Sequence, residues 1–277
     1  MSGRRAFDER QLTGWLERIG RALKRKVTAY LIGGCAMVLR GQKLATKDVD
    51  LVLASAEELK HLVETLKAMD FHEIVRLPEE YKRLGASAIM RDGGGFQLDL
   101  FHRQVCRGLE LTERMERRAL AFKDFNNLEI RLMSAEDIFL LKGVTERQAD
   151  LEDMRILLER GLDWNIIKQE CLLQEKRRIW EDLLVNNLIK LKERYGIESP
   201  ITKDLIESAD LEVAKRAFTK IILEGNETSA QIANAVKERY GYSESWTRAV
   251  LGELTQKGVL SRVRAGRGYR YSTKDRK

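Results

Sequence analysis

The stretch Tyr30–Leu53, YLIGGCAMVLRGQKLATKDVDLVL, constrains the fold more than any other part of this 277-residue chain. A short apolar run, Tyr30-Leu31-Ile32, ends on two glycines, Gly33 and Gly34. A second apolar run, Ala36–Leu39, gives way to a polar break, Arg40–Thr46. The stretch closes on Asp48-Val49-Asp50-Leu51-Val52-Leu53, where acid and aliphatic alternate. The pattern predicts strand, glycine turn, helix, loop, strand. Glycines permit backbone angles and close approaches that a side chain forbids. A helix starting just after them offers unpaired N–H groups and a positive dipole end, which suits phosphate. Residues two apart on a strand share a face, so Asp48 and Asp50 point together while Val49, Leu51 and Leu53 point into a core. Two carboxylates crowded there repel, and a divalent cation would relieve them; Mg²⁺ prefers oxygen ligands and usually takes substrate phosphates too. A solvated strand end is the plainer reading of the same pair.

A further acid lies downstream. Ser87–Phe101 reads SAIMRDGGGFQLDLF, two short strands around Asp92-Gly93-Gly94-Gly95, a hairpin signal. Phe96, Leu98 and Leu100 face one side of the second strand; Gln97, Asp99 and Phe101 face the other. Asp99 is a lone acid among apolar residues, which is unfavourable unless it is exposed or liganded. The three glycines read as a turn and not as a phosphate loop, because a strand and not a helix follows them.

Gly-Gly, thirteen residues, then Asp-Val-Asp-Leu resembles the signature of the DNA polymerase β-like nucleotidyltransferase superfamily. The Thr-Lys-Asp-Val-Asp form looks most like its minimal and AbiEii-type branches, known from prokaryotic toxin–antitoxin and abortive-infection systems. The resemblance implies a two-metal nucleotidyl transfer using Mg²⁺ or Mn²⁺ and an NTP. Asp48 and Asp50 would hold the ions, Asp99 would supply the third carboxylate, and Gly33 and Gly34 would cradle the triphosphate. It also implies an RNA or protein acceptor and, in a toxin–antitoxin or defence system, an antitoxin partner. Arg147-Gln148-Ala149-Asp150-Leu151-Glu152-Asp153, following a helix that carries Lys142, resembles the AbiEii-type lysine helix and Arg-x-x-Asp-x-x-Asp helix. That implies Lys142 as a triphosphate contact; a solvated helix face with charge pairs three and four apart is the alternative. A degenerate domain that binds nucleotide without turnover would carry the same residues.

Elsewhere the chain reads as globular and charge-rich, 43% hydrophobic and 34% charged, which argues against disorder. Residues 7–26 predict a helix, with Leu12, Trp15, Leu16, Ile19 and Leu23 on one stripe. Ser55 with Glu58 predicts the start of another, over Ala56–Met69. Residues 110–160 turn helical after a short apolar stretch, with a start at Ser134, and 163–195 reads as a long amphipathic helical region. The longest apolar run, about ten residues, is too short to span a bilayer. Cys35, Cys106 and Cys171 are odd in number and scattered, which fits a reducing cytoplasm. His102 and Cys106, four apart, lack the further partners that a zinc site needs.

Charge is distributed unevenly. From residue 211 onward there are 14 Lys/Arg against 7 Asp/Glu, a balance of +7, whereas the first 210 residues hold 36 of each. All the excess positive charge is C-terminal, which points to an anionic partner there. Val213–Leu223, Ala230–Tyr240 and Glu244–Lys257 predict three helices, and Val259–Val263 and Gly268–Ser272 two strands. Three helices and a basic hairpin resemble the winged helix-turn-helix family, most specifically at Leu254-Thr-Gln-Lys-Gly-Val-Leu-Ser-Arg. The resemblance implies that Ser245, Thr247 and Arg248 face a DNA major groove and that Arg262, Arg264, Arg267 and Arg270 meet phosphate or the minor groove. Protein contact is the other known use of such a domain. The expected fold is α+β: a nucleotidyltransferase core over 1–110 with a mixed sheet and helices, a helical extension over 111–196, a linker over 197–212 and a small winged helix over 213–277. Two function classes stay open, a transferase and a transcriptional regulator whose first domain only senses nucleotide.

Overall fold

The computed structural model describes residues 6–273 apart from 76–83, 107, 146, 175–176, 241–243 and 267; the side chains of 177–178, 206–214, 240 and 245–246 also lie outside it. The chain is α+β and divides into two compact units, Met1–Thr202 and Lys203–Lys277.

In the first unit, α1 (Glu9–Ala22) starts on a reciprocal cap: the Asp8 carboxylate accepts from Gln11 N, and Gln11 Oε1 accepts from Asp8 N. Leu12, Leu16 and Ile19 on its inner stripe are buried. β1 (Val27–Ile32), α2 (Gly33–Leu39) and β2 (Val49–Leu53) follow as the sequence predicts. α3 (Ala56–Ala68) is capped by Ser55 Oγ, which accepts from Glu58 N. β3 (His72–Glu73), β4 (Ala88–Arg91) and β5 (Gln97–His102) complete this half, and β6 (Gln104–Val105) pairs with β7 (Leu109–Glu110) as a separate ribbon.

The segment after residue 110 departs from the helical expectation. α4 (Glu113–Arg118) is a short helix, and β8 (Leu120–Phe125) and β9 (Leu128–Leu132) then form a hairpin inside the main sheet. Phe125, Leu128, Ile130 and Leu132 are buried around a turn where Asn126 takes φ +57, a conformation that asparagine tolerates. The seven strands run in the order β3-β4-β5-β2-β1-β9-β8. β1 is antiparallel to β2 and parallel to β9, while β2 is parallel to β5, so the sheet is mixed. Helices α5 (Ala135–Gly143), α6 (Gln148–Leu158), α7 (Trp164–Leu173) and α8 (Arg177–Tyr195) follow, so the region 163–195 is two helices.

Strand register separates the two faces of the sheet. Leu31 pairs with Leu51 and Leu132, and Leu51 with Leu100; all four are buried. This aliphatic face carries α1 and α3. Trp15 of α1 stacks on Phe96 at 4.7 Å, next to Phe71. The opposite face carries Tyr30, Ile32, Asp50, Val52, Asp99 and Phe101, which share the other parity.

In the second unit, α9 (Thr202–Leu223) is one continuous helix, so most of the stretch expected as linker is helical. α10 (Ser229–Tyr240), α11 (Glu244–Gln256), β10 (Leu260–Ala265) and β11 (Gly268–Thr273) complete it. Phe218, Ile221, Ile232, Val236, Val250, Leu251, Leu254, Leu260 and Tyr271 form its core. The turn before α10 joins the hairpin: Tyr271 N donates to Glu227 O at 2.8 Å, and Thr228 bridges Arg270. Among the described residues no helix is long and apolar enough to cross a membrane.

Candidate active site and nucleic-acid interface

The three predicted acids come to one region of one face. Asp50 on β2 stands directly opposite Asp99 on β5 in parallel register, and such neighbouring strands lie about 4.8 Å apart with paired side chains on the same side. Asp48 lies two residues before Asp50, just outside β2. Gln97 Nε2 donates to Asp99 Oδ1 at 2.7 Å, and Arg91 Nε donates to Gln97 Oε1 at 3.2 Å. Asp99 is thereby aimed although it is almost fully buried.

Gly33 shows why a glycine is needed at the bend. Its φ is +64, and a Cβ there would collide with Asp50 Oδ2. A Cβ on Gly34 would press on Thr46 Oγ1 at 2.7 Å, and that hydroxyl donates to Asp48 O at 3.2 Å. The glycine turn and the acidic strand are therefore packed against each other.

Charge is out of balance at this point. Burial, then the charges of Asp48 and Asp99, push the Asp50 carboxyl well above the ordinary carboxylate range, with Lys142 and Arg147 pulling the other way. Burial followed by the charges of Asp50 and Asp48 keeps the Cys35 thiol protonated. Burial foremost pushes Cys106 up to about 12. Neither cysteine is a nucleophile at neutral pH. Among the described residues no group of three or more His, Cys, Asp or Glu side chains is placed so as to hold a metal ion. The donor set of Asp48, Asp50 and Asp99 is all oxygen, which suits a hard cation, and a bound cation would relieve the crowding that pushes Asp50 up.

Lys142 does not stand open to a triphosphate as the sequence led us to expect. Its ammonium is buried and lies 2.6 Å from Asp150 Oδ1 and 2.9 Å from Asp153 Oδ2. Asp150 Oδ2 also accepts from Thr145 Oγ1 at 2.5 Å and from Arg147 Nε at 2.7 Å. Asp153 Oδ1 binds Lys43 Nζ at 2.6 Å, which ties the loop before Asp48 to α6. Arg160 adds a second tie by donating to Arg40 O at 2.9 Å. Sequence reasoning treated the Arg-x-x-Asp-x-x-Asp run only as a pattern and overlooked Lys43 and Arg147. The eight-residue spacing from Lys142 to Asp150 crosses a helix break, so helical periodicity gave no signal.

In the second unit Arg262, Arg264 and Arg270 are exposed along the β10–β11 hairpin. The Arg262 guanidinium lies 4.6 Å from the centre of the Tyr269 ring. Arg248 is exposed on α11, paired with Glu244 at 2.5 Å. Thr247 corrects an expectation: it is fully buried and so cannot meet a groove. It lies three, four and seven residues before Val250, Leu251 and Leu254, on the inward stripe of the same helix. The Ser245 side chain and Arg267 fall outside the described residues.

Comparison with known families agrees with this division. Residues 216–276 match the model of the penicillinase repressor family, a repressor-type DNA-binding domain. None of the curated proteins matches the chain. The model described as nucleotidyltransferase of unknown function (DUF6036) matches residues 16–198, about two thirds of the sequence and nearly all of the first unit, and the chain belongs to that family.

Proposed function

We propose that the first unit is a divalent-metal-dependent nucleotidyltransferase that moves a nucleoside monophosphate from an NTP to an RNA or protein acceptor, and that the winged helix holds nucleic acid. The observation that carries this reading is the level pairing of Asp50 with Asp99, with Asp48 beside them and a glycine bend against the Asp50 carboxylate. Asp48, Asp50 and Asp99 would hold Mg²⁺ or Mn²⁺, which when bound clamps the entering and leaving oxygens of an in-line displacement. Gly33 and Gly34 let the backbone approach the triphosphate. The acceptor hydroxyl oxygen bonds to the α-phosphorus, its proton passes to Asp99, the bond to the β-phosphate oxygen breaks, and pyrophosphate leaves. Lys142 acts at one remove, fixing Asp150 and Asp153 behind the acids. The combination fits a toxin–antitoxin or defence system, with an antitoxin or an acceptor protein as partner.

The test is Mg²⁺-dependent label transfer from each of the four NTPs onto cellular RNA or protein. Asp48→Asn and Asp50→Asn should each abolish transfer. Asp50→Asn should also raise thermal stability without divalent cations by about 1 kcal/mol, because it removes a charge that burial and its neighbours disfavour. Transfer retained by either variant would overturn the assignment.

The repressor match favours a second reading, a DNA-binding regulator whose first unit senses nucleotide. Duplex DNA binding with a steep salt slope, and no label transfer, would select it.

A further inference from the structure

Helices α6 and α8 line an open cavity of about 430 Å³ whose Arg147 also feels the charges of Asp50 and Asp48. Arg147 and Gln148 line it from the start of α6; Asn187, Lys190, Glu193 and Arg194 line it from α8. Three cations thus face one carboxylate. The wall is built onto the core: Asn187 Nδ2 donates to Gly143 O at 2.8 Å and to Thr145 O at 2.7 Å, which seats α8 against the end of α5. The Asn187 side-chain oxygen in turn accepts from Lys190 Nζ at 3.3 Å. Arg147 is common to both places. It lines the cavity and holds Asp150, and although its burial opposes this, the Asp150, Asp50 and Asp48 carboxylates together keep its guanidinium more firmly protonated than usual.

We propose that this cavity is a phosphate-binding subsite for the backbone of a single-stranded nucleic-acid acceptor, leading its end to Asp48 and Asp50. The proposal rests on the transferase reading of the acidic site. Three features of the cavity favour an acceptor strand. Beyond Arg147 its cations lie on α8, where Lys190 and Arg194 are about 6 Å apart along the helix, a spacing that successive backbone phosphates can match. Among the described residues its lining holds no aromatic ring on which a base would stack, so the contact is to backbone. The glycine bend, which does not line this cavity, is already assigned to the donor's triphosphate. Lys190 and Arg194 are exposed, and Lys190 reaches the core side through its bond to Asn187, whose own bonds to Gly143 O and Thr145 O do not depend on it, so their replacement leaves the fold in place.

The experiment uses the full-length protein with a short single-stranded RNA or with MgATP, and reads acetylation of Lys190 by mass spectrometry. RNA is expected to protect Lys190 and MgATP is not. In Lys190→Gln/Arg194→Gln the slope of log RNA affinity on log salt should become shallower by roughly 1.4, or roughly 0.7 for each lost phosphate contact, with MgATP affinity unchanged. Protection by MgATP but not by RNA would assign the cavity to the donor and overturn the proposal, as would protection by neither or an unchanged salt slope. Label transfer measured in parallel separates this from the underlying reading. Protection without incorporation keeps the subsite and removes the transferase; incorporation without protection does the reverse.

Discussion

Lys142 in the first unit is 7% exposed and shares two buried carboxylates, whereas Arg262, Arg264 and Arg270 in the second unit stand in solvent along a two-stranded ribbon. The same type of charge has a different role in each. In the interior a cation must be fully partnered, since desolvation of an unpaired charge outweighs the packing around it. On the ribbon a cation remains hydrated and available, and the apolar core from Phe218 to Tyr271 anchors the ribbon through Leu260 and Tyr271. Buried charge therefore governs stability, and displayed charge governs binding.

The sharpest way to break that contrast is to remove one of the two carboxylates that hold Lys142. Asp150→Asn should lower stability by about 3–5 kcal/mol at neutral pH, because Arg147 loses its partner and Asp153, already bound to Lys43, becomes the one carboxylate among the described residues left to the buried Lys142 ammonium. The Asp150 carboxyl is held below its ordinary value of 3.8: burial would raise it, but Lys142 and Arg147 outweigh burial. Its contribution is full above that value and fades as pH falls through the lower folded one. Melting curves across pH should therefore show an acid-side loss below about pH 4 that flattens in Asp150→Asn. A loss under about 1 kcal/mol would mean that the pair is solvated after all.

The wing should give the opposite result. Arg262→Ala/Arg264→Ala should weaken duplex DNA binding at least about tenfold at physiological salt and reduce the salt slope by about 0.9 per lost contact. Its melting temperature should stay that of the wild type. A drop in stability with unchanged binding would make these arginines packing residues.

The smallest effect tests the contrast between neighbours on α11. Thr247→Ala should destabilise by roughly 1–2 kcal/mol, since Thr247 is buried on the inward stripe. Arg248→Ala removes only an exposed pair with Glu244, worth about 0.3–0.5 kcal/mol. Calorimetry on both variants decides it, and equal losses would remove the distinction.

What was legible in the sequence follows the range of the interactions. The glycine bend, the alternation through Asp48–Leu53, the Asp92–Gly95 turn and the Ser55 cap are local, and each appears where its residues place it. The β8–β9 hairpin was legible and overlooked: Leu128-Glu129-Ile130-Arg131-Leu132 alternates apolar and charged residues, the pattern of a half-buried strand, directly after an Asn126-Asn127 turn; only its parallel pairing with β1, about a hundred residues earlier, lies beyond local reading. The partners of Lys142 were missed because a helix break separates it from Asp150 and Asp153, and only tertiary folding brings them back. Thr247 was legible and misread: its spacing to Leu251 and Leu254 places it inside, and an expectation about groove contacts took precedence over that spacing.

The bend at Gly33 has a consequence for how such a chain tolerates change. The seat of the Asp50 carboxylate is defined by an atom the protein lacks, so adding one methyl group at position 33 would evict the acid while leaving every ionisable group intact. A relative could thus lose this arrangement with its full set of aspartates still present, and counting carboxylates would not reveal it.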